Sequence, residues 1–286
     1  MVDPVSFGDK LKDIILQKVQ DNALELPTYP KVASFAQRQL QNPEVKLQEV
    51  SQTLERDPLL AAQILKQANS PLYGGSMEIK SLNQALSRMG IRAVVNVLRT
   101  AVVRTIFMSR RPEVQKVFQV MWNHSLAVAH IARDVLGIAG AKDADPAYLA
   151  GLLHDVGKPT AAAFLLDFEN SLPRHEAMNW VDENQWLAII QDIHHPISLA
   201  IAKKWKLPAA VVSVLESAKE YDVSDRVSAA NAVRFANALA KQLGIYAGFF
   251  DSGEIATQIM VGRSLLGLEE DTVEKLGKKA QATSWD

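Results

Sequence analysis

Apolar positions recur at intervals of three and four along nearly the whole chain, and no run alternates in the period-two manner of a half-buried strand. Leu47, Val50 and Leu54 form one such stripe. Asp57-Pro58 then reads as a helix start, with Asp as N-cap and Pro at the first helical position. Leu59, Leu60, Ile64, Leu65 and Ala68 follow as its buried face. Asn69-Ser70-Pro71 ends that helix, and Tyr73-Gly74-Gly75-Ser76 reads as a loop. Ser81 and Gln84 have capping-box spacing for a short helix closing at Gly90, after which an apolar helix runs from about Ile91 to Phe107.

A polar, basic break at 109–112 is the best internal boundary. Pro112 opens a helix in which Val117, Met121, His124, Val128, Ile131 and Val135 share one stripe. Asp145-Pro146 repeats the cap-then-proline device and launches a helix through His154-Asp155, which Gly157 ends. Further helices are expected over Glu183–His194, Ile197–Trp205, Pro208–Ala218, Asp225–Leu243 and Glu254–Leu266, with a polar, frayed tail. The expected fold class is all-α: many medium helices in two helical subdomains packed together.

A chain of 286 residues can bury a sizeable core, and 48% apolar with 22% charged residues is ordinary for a globular protein. The net charge of -1 provides no global field to recruit nucleic acid or an acidic membrane. Arg88, Arg92, Arg99, Arg104, Arg110 and Arg111 are locally basic; a solvated face is the first reading and a nucleic-acid patch over Arg88–Arg111 the second. With no cysteine, disulfides and thiolate nucleophiles are excluded, and any metal must be held by His, Asp or Glu. Met1 to Gln20 lacks the parts of a signal peptide, and Ala93 to Phe107 is interrupted by Arg99 and Arg104 and too short to span a bilayer. These features predict a cytoplasmic protein with no membrane partner.

The most specific local feature is Gly151-Leu-Leu-His154-Asp155-Val-Gly157-Lys158. An adjacent His-Asp pair offers a nitrogen and an oxygen to one divalent cation. Gly157 would let the chain leave the helix tightly, and Lys158 is a candidate phosphate contact. His124 lies on the preceding helix, and two antiparallel helices bring it against His154. A plainer reading stays open: His124 as a hydrogen-bonded core histidine, and Asp155 as a cap or a partner of Lys158. His130, six residues after His124, points to another face, and His175 falls in a loop. His194-His195 before Pro196 are either ligands or, more plainly, a polar hinge. There is no Ser-His-Asp arrangement, Gly-rich phosphate loop or dinucleotide fingerprint.

Two separated segments resemble the HD-related output domain (HDOD) family. The first holds Leu26-Pro27-Thr-Tyr-Pro30, Asp57-Pro58 through Asn69-Ser70-Pro-Leu-Tyr73-Gly74, and Ile79 through Ala85 to Met89-Gly90. The second holds Trp122-Asn-His124-Ser, the His154-Asp155 motif, and Ile197 through Trp205-Lys-Leu-Pro208. The resemblance implies an HD-like architecture: residues 1–25 as an N-terminal helical extension, 26–245 as the domain with halves 26–110 and 111–245, and 246–286 as a C-terminal helical extension. It places His124, His154 and Asp155 at the first three ligand positions of the metal-dependent HD phosphohydrolases. The fourth ligand, an Asp in that superfamily, falls at Asn237, a neutral amide that contributes no charge against the cation.

No Gly-Tyr-Pro signature of the cyclic-dinucleotide hydrolases occurs, and Ala218-Lys219 stands where HDOD proteins often carry a His pair. His194 matches a histidine preceding that element. The resemblance therefore implies at most one divalent metal ion, weakly held. It points to a signal-transduction module that is non-catalytic and acts on a separate signalling protein or a small ligand. The alternative is a metal-dependent phosphohydrolase acting on a nucleotide or phosphate ester.

Overall fold

The computed structural model describes residues 4–21, 23–42, 44–70, 73, 77–171, 183–217 and 220–282. Among them every regular element is a helix. The chain divides into two compact units, Thr28–Thr105 and Met1–Pro27 with Ile106–Asp286.

The first unit holds α2 (Lys31–Leu40), α3 (Leu47–Leu54), α4 (Pro58–Ala68) and most of α5 (Leu82–Ile106). Val50, Leu54, Leu60, Ile64 and Ala68 of the expected stripes are buried, but Leu59, expected on the buried face of α4, is 71% exposed. Asp57 caps α4 by accepting from the Leu59 and Leu60 amides, with Pro58 supplying a preset φ at the first turn. Asn69 closes the same helix. Its amide donates to the Leu65 and Ile79 carbonyls and accepts from the Ile79 N–H at 2.8 Å. Ser81 accepts from the Gln84 amide, while Gln84 reaches back to the Lys80 amide. Gly90 breaks α5 with φ 76° and ψ 163°, so the helix is two segments joined at a residue only glycine tolerates there. Residues 71–72 and 74–76 of the expected loop lie outside the described residues.

The second unit is built around α6 (Pro112–Ile138), which packs on α7 (Asp145–Leu153) and on α11 (Ala229–Gln242). α8 (Gly157–Ser171) packs on α9 (Glu183–Lys204), and α1 (Pro4–Gln20) lies along α9. α10 (Ala209–Ser217) packs on α7, and α12 (Ser252–Leu266) and α13 (Glu270–Ala282) follow α11. All of the α6 stripe is buried except Val117, which is half-exposed.

Five expectations need correction. Gly157 does not end a helix; it begins α8. A Cβ there would sit 1.9 Å from the His194 carbonyl oxygen, so the residue is small because α8 and α9 touch backbone to backbone. His194 and His195 form no hinge, because α9 runs unbroken through Pro196. The expected start of α11 at Asp225 is instead a set of turns around Asp222, and the helix begins after the Ser228 cap. The tail to Ala282 is not frayed: α13 is helical, with Leu276 and Ala280 buried. Asp145 also proves to be the first residue of α7 rather than its cap, its amide held by the Asp143 side chain.

Candidate metal centre

Two glycines bracket the His154-Asp155 pair and bring other helices onto it. At Gly151 a Cβ would lie 2.9 Å from the Ala129 Cα, so α7 packs on the α6 backbone with no room for a side chain. Gly157 does the same for α8 and α9. Ser198 of α9 locks that contact, donating to the His154 carbonyl at 3.0 Å and accepting from the Gly157 amide at 2.9 Å. The result carries His124 of α6 and His194 of α9 to the turn holding His154 and Asp155.

All three imidazoles are anchored alike. His124 Nδ1 meets the Ile245 carbonyl at 2.6 Å, His154 Nδ1 the Gly151 carbonyl at 2.7 Å, and His194 Nδ1 the Gln191 carbonyl at 2.6 Å. A carbonyl only accepts, so each Nδ1 carries the proton and each Nε2 of a neutral ring presents a lone pair. Burial favours the neutral rings: it lowers His124 to about 3 and His194 to about 4, and it lowers His154 too.

The Nε2 atoms of His124 and His154 converge, and that of His194 approaches the other oxygen of the same carboxylate. His124 and His154 Nε2 are 3.3 Å apart. His154 and His124 Nε2 stand 3.4 and 3.7 Å from Asp155 Oδ2, and His194 Nε2 is 3.3 Å from Asp155 Oδ1. One ligand atom from each of His124, His154 and Asp155 fits within 4.8 Å. These are acceptors facing acceptors, an arrangement that favours a cation among them. The donor set, imidazole nitrogens preset in one tautomer plus a carboxylate, fits a divalent ion of borderline hardness. Asn237, the residue expected at the fourth position, stands beside them with its Oδ1 3.1 Å from His124 Nε2. Against an acceptor nitrogen that pairing calls for the amide NH2 on that side, which is a donor and not a ligand.

The positive charge in direct contact with Asp155 is a lysine. Lys158 Nζ lies 2.6 Å from Asp155 Oδ2 with both side chains buried. Burial alone would push the Asp155 carboxyl up; the imidazoles and the Lys158 ammonium outweigh it and hold it well below the usual carboxylate range. Burial likewise opposes the Lys158 cation, and Asp155 and Tyr246 outweigh that too, so its pKa is raised. Tyr246 covers the group: its ring centroid is 4.7 Å from Lys158 Nζ, 4.8 Å from Lys241 Nζ and 5.0 Å from the His124 ring, and its hydroxyl donates to Gln191.

Of the residues singled out in the sequence, His124, His154, Asp155, Lys158 and Asn237 all meet here, and His194 joins them. His195 does not: its Nε2 meets the Leu215 carbonyl at 2.9 Å. His130 stacks edge-on against Tyr148 beside Arg133. His175, Ala218 and Lys219 lie outside the described residues. Tyr246, Lys241, Gln191 and Ser198 have no local sequence signal, since each reaches the centre from a distant element. The arginines fall into separate settings: Arg88 donates to the Met77 carbonyl before the Gly90 break, Arg92, Arg99 and Arg104 follow it, and Arg111 pairs with Glu169 at 3.8 Å.

Residues 26–221 match the HDOD domain family. The chain belongs to that family. A protein of Treponema pallidum (strain Nichols) is 25% identical over 203 residues, covering 69% of this chain and 38% of its own length. The chain thus spans well under half of that relative. A crystal structure from Shewanella amazonensis SB2B, provisionally described as a metal-dependent phosphohydrolase, has a TM-score of 0.72 at 23% identity, covering 96% of this chain and 99% of its own. One from Marinobacter aquaeolei VT8, provisionally described as a signal transduction protein, has a TM-score of 0.62 at 21% identity, covering 98% of this chain and 66% of its own. At these identities the two structures establish the HDOD helical fold. Among the described residues no helix is long and apolar enough to cross a membrane.

Proposed function

We propose that this HDOD chain is a signal-transduction module that works by binding a separate signalling protein or small ligand, without catalysis. The observation that carries the reading is the state of Asp155: the carboxylate that would anchor a hydrolytic cation is already ion-paired to buried Lys158 at 2.6 Å. Asn237 adds to this, because an amide in the fourth position contributes no charge to hold a cation firmly. The test is a folded His154→Ala variant in the native host. Signalling at the wild-type level is expected; a signalling defect equal to that of a deletion strain would refute the proposal.

The Nε2 lone pairs left free by the three Nδ1 anchors favour a second reading, a metal-dependent phosphohydrolase. His124, His154 and Asp155 would hold the ion, with His194 at hand and Lys158 facing the phosphate. When bound, such an ion supplies Lewis acidity to a water and a phosphoryl oxygen. Release of p-nitrophenolate from bis(p-nitrophenyl) phosphate by cobalt-loaded protein, matched against a known HD hydrolase, decides between the readings. No turnover is expected.

A further inference from the structure

We infer that Lys158 is a tethered cation occupying the metal-facing oxygen of Asp155, and that it keeps divalent ions out of the centre. The inference rests on the reading of His124, His154 and Asp155 as a residual cation site. Three observations carry it. The first is which oxygen the lysine takes. Oδ2 is the Asp155 atom that stands 3.4 and 3.7 Å from the His154 and His124 nitrogens, so it is the oxygen a shared ion would need. Lys158 Nζ is on that atom at 2.6 Å.

The second is how firmly the ammonium is held. Lys158 is 3% exposed, and it enters from the first turn of α8, three residues after Asp155. Its Nζ also donates to the Tyr246 hydroxyl at 3.3 Å, under the ring. The third is charge. Imidazoles locked as Nδ1–H tautomers add none, and Asn237 adds none. One carboxylate and one ammonium cancel, so an incoming divalent ion would meet a neutral donor set with a like charge at its ligand oxygen. Ammonium and metal compete for the same negative group.

The distinctive consequence is that removing a positively charged residue should create metal binding, whereas removing a phosphate contact or a structural lysine would not. Visible absorption during Co2+ titration reads this directly. Wild type and Lys158→Arg, which keeps the charge, should bind weakly. Lys158→Met and Lys158→Gln should bind about tenfold more tightly or better, the effect of removing one like charge close to an ionised ligand.

Thermal denaturation supplies a second readout. Lys158→Met should melt below wild type without metal, because Asp155 is left as a buried unpaired charge, and should regain stability when Co2+ is added. Should that variant fold only with metal present, Lys158→Gln carries the test, since its amide still donates to Asp155. The double variant Asp155→Asn/Lys158→Met should fold without metal and bind none. The inference is overturned if both neutral variants bind Co2+ no more tightly than wild type, or if wild type binds stoichiometric Co2+ as tightly as they do. Neither outcome depends on turnover, so the phosphodiesterase assay and the titration fail independently.

Discussion

The two ends of α11 present the same residue type in opposite circumstances. Near its start, Asn231 is fully buried and every bonding group is met by backbone: its NH2 reaches the Asp222, Asp225 and Arg226 carbonyls, and its oxygen accepts from the Asp222 amide at 2.8 Å. Farther along, Asn237 faces His124 Nε2 beside a carboxylate and two more imidazoles whose nearest atoms are all acceptors. A buried polar group satisfied by backbone stabilises a turn and nothing more. A cluster whose lone pairs converge around one neutralised charge is organised for a cation, supplied from outside or by the chain itself.

The contrast breaks most severely in acid. His124, His130 and His194 have folded pKa values of about 3, 4 and 4, below the ordinary 6.5 of the unfolded chain, chiefly through burial. Between these values the unfolded state binds more protons, so stability is complete above about pH 6.5 and falls as pH drops. Each contributes a slope of about 1.4 kcal/mol per pH unit in that window. The depressed Asp155 carboxyl acts in the same direction at still lower pH, below its ordinary 3.8. Urea denaturation from pH 7 to pH 4.5 should show a total loss of several kcal/mol; a flat profile would contradict the buried neutral imidazoles.

Next in size is Asp155→Ala, which strands the buried Lys158 ammonium and should cost about 3–5 kcal/mol in urea denaturation. Adding Lys158→Met to it should return part of that loss. Asn231→Ala leaves three carbonyls and one amide short of a partner and should cost about 2 kcal/mol, with no change in Co2+ affinity. An affinity change there would mean that the two ends of α11 are not independent. The smallest effect on stability is expected from Asn237→Asp, which restores a carboxylate at the fourth position. Its Co2+ affinity should rise about tenfold in the same titration, consistent with one added ligand charge.

Local chemistry was legible along the chain. Asp57-Pro58 started a helix, Gly90 broke one, and the period of the apolar residues marked an all-helical fold, because caps and stripes depend on residues within a few positions. His124, His154, Asp155 and the amide at Asn237 were readable as a partial ligand set by resemblance. His194 matched a family histidine by resemblance, but its own neighbours left ligand and hinge open, since a proline two residues on argues for a break that α9 overrides. Gly157 was misread as a helix end, for the space it leaves is filled by the distant backbone of His194 and Ser198.

The sequence by itself thus determined the helical class, the family and the candidate donors, but not α8, which no local pattern placed. Only the tertiary structure decided what those donors do. The tautomer of each imidazole depends on carbonyls at Ile245, Gly151 and Gln191, the cover on Tyr246, and the charge of the centre on the pairing of the Lys158 ammonium with Asp155. His154–Gly151, His194–Gln191 and Lys158–Asp155 are each only three residues apart, whereas His124–Ile245 and Lys158–Tyr246 join distant segments. What brings these groups to one place is how closely Gly151 and Gly157 let the backbones of α6, α7, α8 and α9 approach, which no local pattern of residues encodes.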